Sequence, residues 1–108
     1  MKLELLKTQT SATGSIVNSY TIGNYAITEH IRNNISNIYT TPNMDANDFL
    51  PNIYSDQRWE DGRITNFVIQ TTSYGSLSVE DTEKFIEAYQ EAVEVTETLK
   101  DKFVIKDI

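Results

Sequence analysis

The chain reads as an α+β domain: an antiparallel sheet of four or five strands, with one short and one long helix packed on one face. Three observations predict this. β-Branched, alternating runs separated by turn residues fill most of the first two thirds of the sequence. An Asp61-Gly62 pair sits between two strand-like runs, the strongest hairpin signal in the chain. The last third then switches to a helical period opened by Ser78, a good N-cap. The expected order is ββαββα, with room for one final strand.

The elements follow in turn. Lys2–Gln9 (KLELLKTQ) alternates well enough for a strand, and Thr10–Ser15 (TSATGS) is a turn leading into the β-branched and aromatic Ile16–Ile22. After the tight turn at Gly23-Asn24, Ile27, Ile31, Ile35 and Ile38 recur at helical spacing, with Thr28 placed as a cap. This predicts a short first helix, Thr28–Tyr39, weakened by three asparagines. A third strand over Tyr25–Ile31 is the competing reading. Thr40–Asn52, with two prolines and several Asn and Asp, is a loop. Two strands then flank Glu60-Asp61-Gly62, and the consecutive Phe67-Val68-Ile69 marks the second as a central strand buried on both faces. Ser78 starts the long helix, with Asp81 at its third position as a weaker capping box. The tail Phe103–Ile108 is either a last edge strand or a segment packed on the core.

A chain of 108 residues, 39% hydrophobic and 23% charged, is expected to form one domain, residues 1–108, with a single core. The opening MKLELLK alternates charge and leucine, unlike a signal peptide, and no window reaches the roughly 18 apolar residues of a membrane span. Without cysteine there are no disulfides, thiolate metal sites or cysteine nucleophiles. A cytoplasmic protein is the expectation, and the Asn34-Ile35-Ser36 acceptor triplet carries no weight without export. The net charge is −7, and residues 78–102 hold eight acids against three lysines. Phosphate backbones repel such a surface, so direct nucleic-acid binding is not expected, whereas a basic protein partner fits.

On a helical wheel Phe85, Tyr89, Val93, Thr96, Leu99 and Phe103 form one stripe, read as the core face. Glu80, Glu83, Glu87, Glu91, Glu94 and Asp101 fall within about 80° on another side. An amphipathic helix accounts for charge there, but less readily for a single sign. Like-charge neighbours three or four residues apart each cost about 0.2–0.5 kcal/mol, so the row forgoes about 1–3 kcal/mol of local stability. Either this is a solvated face, or the row serves as a binding surface. As a nucleic-acid mimic one helix is sparse: its carboxylates lie about 5–6 Å apart, against about 3.4 Å between phosphates of a strand. The hairpin tip supplies more charge beside an aromatic, Trp59-Glu60-Asp61, with Trp59 either an interface anchor or folded back over the sheet.

Catalytic signatures are missing from the sequence. The single histidine, His30, has no partner in a recognisable motif, no serine sits in G-x-S-x-G, and no phosphate-binding glycine loop is present. Asp45-Ala46-Asn47-Asp48 begins like a calcium loop but places Leu50 where glycine is needed and Phe49 at a ligand position. No catalytic residue, metal ligand or cofactor is expected, and enzymatic activity is not.

The stretch VIQTTSYGSLSVEDTEKFIEAYQEAVEV (Val68–Val95), a strand followed by an acidic helix, together with the small size and negative charge, resembles short phage and prophage proteins. Among these it is similar to the anti-CRISPR inhibitors of type II effector nucleases. The resemblance implies a non-enzymatic inhibitor that sets carboxylates in the nuclease's DNA-binding cleft. Glu80, Glu83, Glu87, Glu91 and Glu94 would meet Lys or Arg there, with Trp59, Glu60 and Asp61 as a second contact. The competing expectation is a phage structural or assembly protein that self-associates through its sheet face or edge strands, near Tyr20, Tyr25, Tyr54 or Phe103.

Overall fold

The computed structural model describes residues 1–104 and holds six strands in two antiparallel sheets with one C-terminal helix. Strands β1 (Glu4–Thr10), β2 (Ile16–Ile22), β3 (Tyr25–Arg32) and β4 (Ile35–Pro42) form a four-stranded meander in sequence order. Strands β5 (Ile53–Gln57) and β6 (Ile64–Ile69) form a separate two-stranded sheet, and α1 spans Val79–Phe103.

The expected ββαββα order with two helices is therefore wrong: Thr28–Tyr39 is not helical but forms parts of β3 and β4, so Tyr25–Ile31 is strand. The reason lies in the arithmetic of the pattern. Residues four apart share a face in a helix and in a strand alike, so the spacing of Ile27, Ile31 and Ile35 does not separate the two. What decides is Asn33-Asn34, where both residues take positive φ (52° and 63°). That is the backbone of a type I′ turn, and asparagine tolerates it better than most residues. With Arg32 paired to Ile35 across it, the two β-branched runs zip together instead of coiling.

One face of the meander carries Tyr20, Ile22, Tyr25, Ile27 and Ile38, all buried. Register explains the grouping: Tyr20 lies opposite Ile27, Ile22 opposite Tyr25, and Ile38 opposite Glu29. The second sheet and the helix cover this face, contributing Ile53, Ile64, Phe67, Ala88, Ala92, Val95 and Leu99 to one core. The sheets are joined at Thr40, whose hydroxyl donates to the Ile53 carbonyl and accepts from the Ile53 N–H. The Tyr25 hydroxyl donates to the Pro51 carbonyl, tying down the Thr40–Asn52 loop.

Two further expectations need correction. Phe67 is buried but Val68 is exposed, so β6 is a one-sided strand of a two-stranded sheet and not a central strand. The core face of α1 is also turned relative to the expected stripe. Ala88, Ala92, Val95, Thr96 and Leu99 face inward while Val93 is 46% exposed. The turn is about 50° on a wheel of 100° per residue. Two alanines on the inner face let the helix axis approach closely, so the larger Tyr89 and Val93 are displaced to the margin and beyond. Of the tail, Phe103 ends α1 and Val104 caps it by donating to the Lys100 carbonyl. Residues 105–108 lie outside the described residues.

Candidate functional site

Helix α1 is begun by Ser78, whose hydroxyl accepts from the Asp81 N–H at 3.1 Å. Glu80 and Asp81 in the first turn and Lys100 and Lys102 in the last complement the helix dipole. Along one flank Glu80, Glu83, Glu87, Glu94, Glu97 and Asp101 are exposed. Among the described residues no ion pair joins any of them to a lysine or arginine. Four of the five expected helix contacts thus stand in water with their charge unneutralised.

Glu91 is the exception. It is half-buried, and its carboxylate accepts from the Asn24 backbone N–H at 2.7 Å and from Asn24 Nδ2 at 2.8 Å. The β2–β3 turn receives it at Gly23, where φ is +53° and a Cβ would stand 2.8 Å from Glu91 Oε2. Glycine here serves both the left-handed backbone and the close approach. Glu91 therefore anchors the helix to the meander, and of the five expected helix contacts it is the one whose carboxylate is already engaged within the chain. The same charge, after burial, helps push the Tyr25 hydroxyl pKa well above the usual phenol value.

The hairpin tip separates into two kinds of residue. The loop Arg58–Arg63 is closed by Arg58 N–H to the Arg63 carbonyl and Gly62 N–H to the Arg58 carbonyl, both 2.7 Å. Asp61 accepts from Arg58 Nε and Nη2 and from the Arg63 N–H, and Arg63 Nε lies 3.4 Å away. The Arg58 guanidinium, with the Arg63 N–H, holds the Asp61 carboxyl down at about pKa 2. Its charge is engaged within the loop by Arg58 and Arg63. Glu60 is exposed, and Trp59 is 94% exposed, projecting into solvent and not folded over either sheet.

These two regions do not form one patch. The hairpin loop lies beside Asn34, Ile35 and Phe103, at the C-terminal end of α1. At 1.5 Å per residue, Glu94 is about 14 Å and Glu80 about 35 Å along the axis from Phe103. A partner would need a long footprint to touch both.

Sequence reasoning missed a second feature of the helix. Val79, Ile86 and Val93 are 76%, 49% and 46% exposed, and with Phe85, Tyr89 and Gln90 the latter two line a shallow apolar strip. Phe85 is held by Phe49 and Tyr74 and lies against Tyr89, with ring centroids 4.4–6.2 Å apart, and the Tyr89 hydroxyl accepts from the Thr72 N–H. The acidic row runs along one side of this strip. The seven-residue spacing of the three aliphatic residues is legible in the sequence; that they face outward is not.

The calcium-like stretch is a turn held by its asparagines: Asn43 accepts from the Asp45 N–H and Asn47 from the Phe49 N–H, while Asn47 Nδ2 donates to the Lys84 carbonyl. Among the described residues no group of three His, Asp or Glu side chains could hold a metal ion, and no helix is long and apolar enough to cross a membrane. Comparison of the chain with protein-family models, with curated proteins and with solved structures finds no match.

Proposed function

We propose that this chain is a non-enzymatic protein inhibitor that uses the acidic flank of α1 to occupy a basic, nucleic-acid-binding site on a nuclease, in the manner of the anti-CRISPR proteins it resembles, and that it acts in the cytoplasm of the phage's host cell. The observation that carries this reading is the exposure of Glu80, Glu83, Glu87 and Glu94 along one side of a single long helix, with no basic residue of the described chain paired to them. Interspersed lysines would raise the stability of such a helix through opposite-charge pairs three and four residues apart, so the row is not what local stability alone favours. A basic cleft gains what the isolated helix forgoes. Trp59 and Glu60 extend the contact only if the partner surface reaches past the C-terminal end of α1.

The test is a pull-down by the tagged chain from a host lysate containing a type II effector nuclease, with captured proteins identified by mass. The wild type is expected to retain the nuclease, and Glu87→Lys/Glu94→Lys to lose it while keeping the wild-type circular dichroism spectrum. Equal retention by both would remove the acidic flank from the interface.

One observation favours self-association instead. Every residue of β1 is exposed, with Leu5 56% and Leu6 64% accessible at an open sheet edge. The tyrosines expected to serve that role, Tyr20 and Tyr25, are buried in the core and unavailable, whereas Tyr54 is exposed. Light scattering behind size exclusion separates the readings: an oligomer that persists at high salt supports edge pairing, a monomer supports the inhibitor.

A further inference from the structure

We infer that the exposed apolar strip of α1 is a coiled-coil seam awaiting one basic amphipathic helix of the partner protein, an inference that rests on the acidic flank being a binding surface. Val79, Ile86 and Val93 are seven residues apart and exposed, the positions and the β-branched type that a two-stranded coiled coil places at its first core site. Three and ten residues after Val79 come Thr82, exposed, and Tyr89, half-buried, at the second core site; the next, Thr96, is buried in this chain's own core, so the second core site is open only over the first two heptads. Glu83 and Glu97 flank the seam at the position that chooses partners by charge, and Glu80, Glu87 and Glu94 form a second acidic line beside it. An aliphatic register and an acidic one thus repeat together, beside a third in which Gln90 separates Glu83 from Glu97.

The same pattern rules against a second copy as the occupant. In an antiparallel pair centred on Gln90, Glu83 of one chain would face Glu97 of the other. In a parallel pair Glu83 and Glu97 would meet Ser78 and Ala92 of the other chain, neither of which carries a positive charge, and Ala92 is already buried in this chain's own core. An occupant must supply aliphatic residues at heptad spacing with Lys or Arg alongside. A helix of that kind lining a nucleic-acid cleft meets both requirements.

Three fluorescent 21-residue peptides test this by anisotropy at about physiological ionic strength. The first has Ile and Leu at the core positions and Lys alongside; the second keeps the Lys but has Ser at the core positions; the third keeps Ile and Leu but has Glu alongside. The wild-type chain is expected to bind the first at least tenfold more tightly than either other. Ile86→Gln/Val93→Gln, both at exposed positions, is expected to lose about tenfold for the first peptide and nothing for the second. Equal binding of the first two peptides, or an unaffected double variant, overturns the seam while leaving the acidic flank as the contact. A wild-type dimer that this variant converts to monomer assigns the strip to a second copy, which also overturns it. Insensitivity of both Lys peptides to Glu83→Lys/Glu87→Lys/Glu94→Lys sinks instead the reading on which the seam rests.

Discussion

Glu29 shows how much a single buried acid constrains its neighbours. It lies on the core face of β3, where it accepts from the Tyr20 hydroxyl at 2.9 Å and from Asn18 Nδ2 at 3.0 Å. Burial, then the hydrogen bond to Glu29 and its charge, push the Tyr20 phenol up to about 12. Tyr20→Phe is therefore expected to cost about 1–3 kcal/mol, the penalty for removing one donor from a buried acceptor, read from urea midpoints. A raised folded-state pKa means the neutral phenol is favoured by folding. That stability is complete below the ordinary phenol value near 10 and is lost as pH climbs towards 12. Unfolding free energy measured between pH 9 and 12 should fall in this window, less steeply in Tyr20→Phe. Glu91 and Glu87 make a matched pair on the helix. Glu91→Ala removes two hydrogen bonds to Asn24 and is expected to cost about 1.5–3 kcal/mol, whereas Glu87→Ala, on the exposed flank, should change stability by no more than about 0.5 kcal/mol. None of these partnerships was readable from residue types: they join positions 9 to 67 residues apart, which local pattern does not encode.

At the scale of elements, the long helix, its cap and its acidic wedge were all legible, because capping chemistry and period are local properties. So were β2, to its exact limits, and the β5–β6 hairpin. The short helix was misread where a four-residue spacing serves both periods, and the Asn33-Asn34 turn that resolves it is a weaker textual signal than Asn-Gly. The rotation of α1 was hidden because it depends on which side chains let the helix sit close, a matter of packing across elements. It brought Glu91 against the β2–β3 turn and Val93 into solvent. The remaining row has a direct consequence for stability. Replacing Glu87 and Glu94 by Lys turns like-charge neighbours into opposite ones, so the variant should be as stable as wild type or up to about 1 kcal/mol more stable. Thermal unfolding at low and high salt measures this, and the difference should shrink as salt rises. Trp59→Ala, at a side chain almost wholly in solvent, should leave unfolding unchanged.

Across the whole molecule the two layers divide the work. The meander and the small sheet form a base that holds α1 by its inner face and by Glu91. The charge then follows from the fold: apart from Glu91, the helix turns most of its acids away from the base, and the two arginines of the hairpin are engaged with Asp61. The result is a domain with one strongly negative side. The most direct measurement of its purpose is displacement of a labelled DNA duplex from a guide-loaded type II effector nuclease, followed against salt. Competition by the wild type that weakens steeply as salt rises, and is absent in Glu83→Lys/Glu87→Lys/Glu94→Lys, is the predicted result. Failure of the wild type to displace DNA, or equal displacement by the charge-reversed chain, would contradict it.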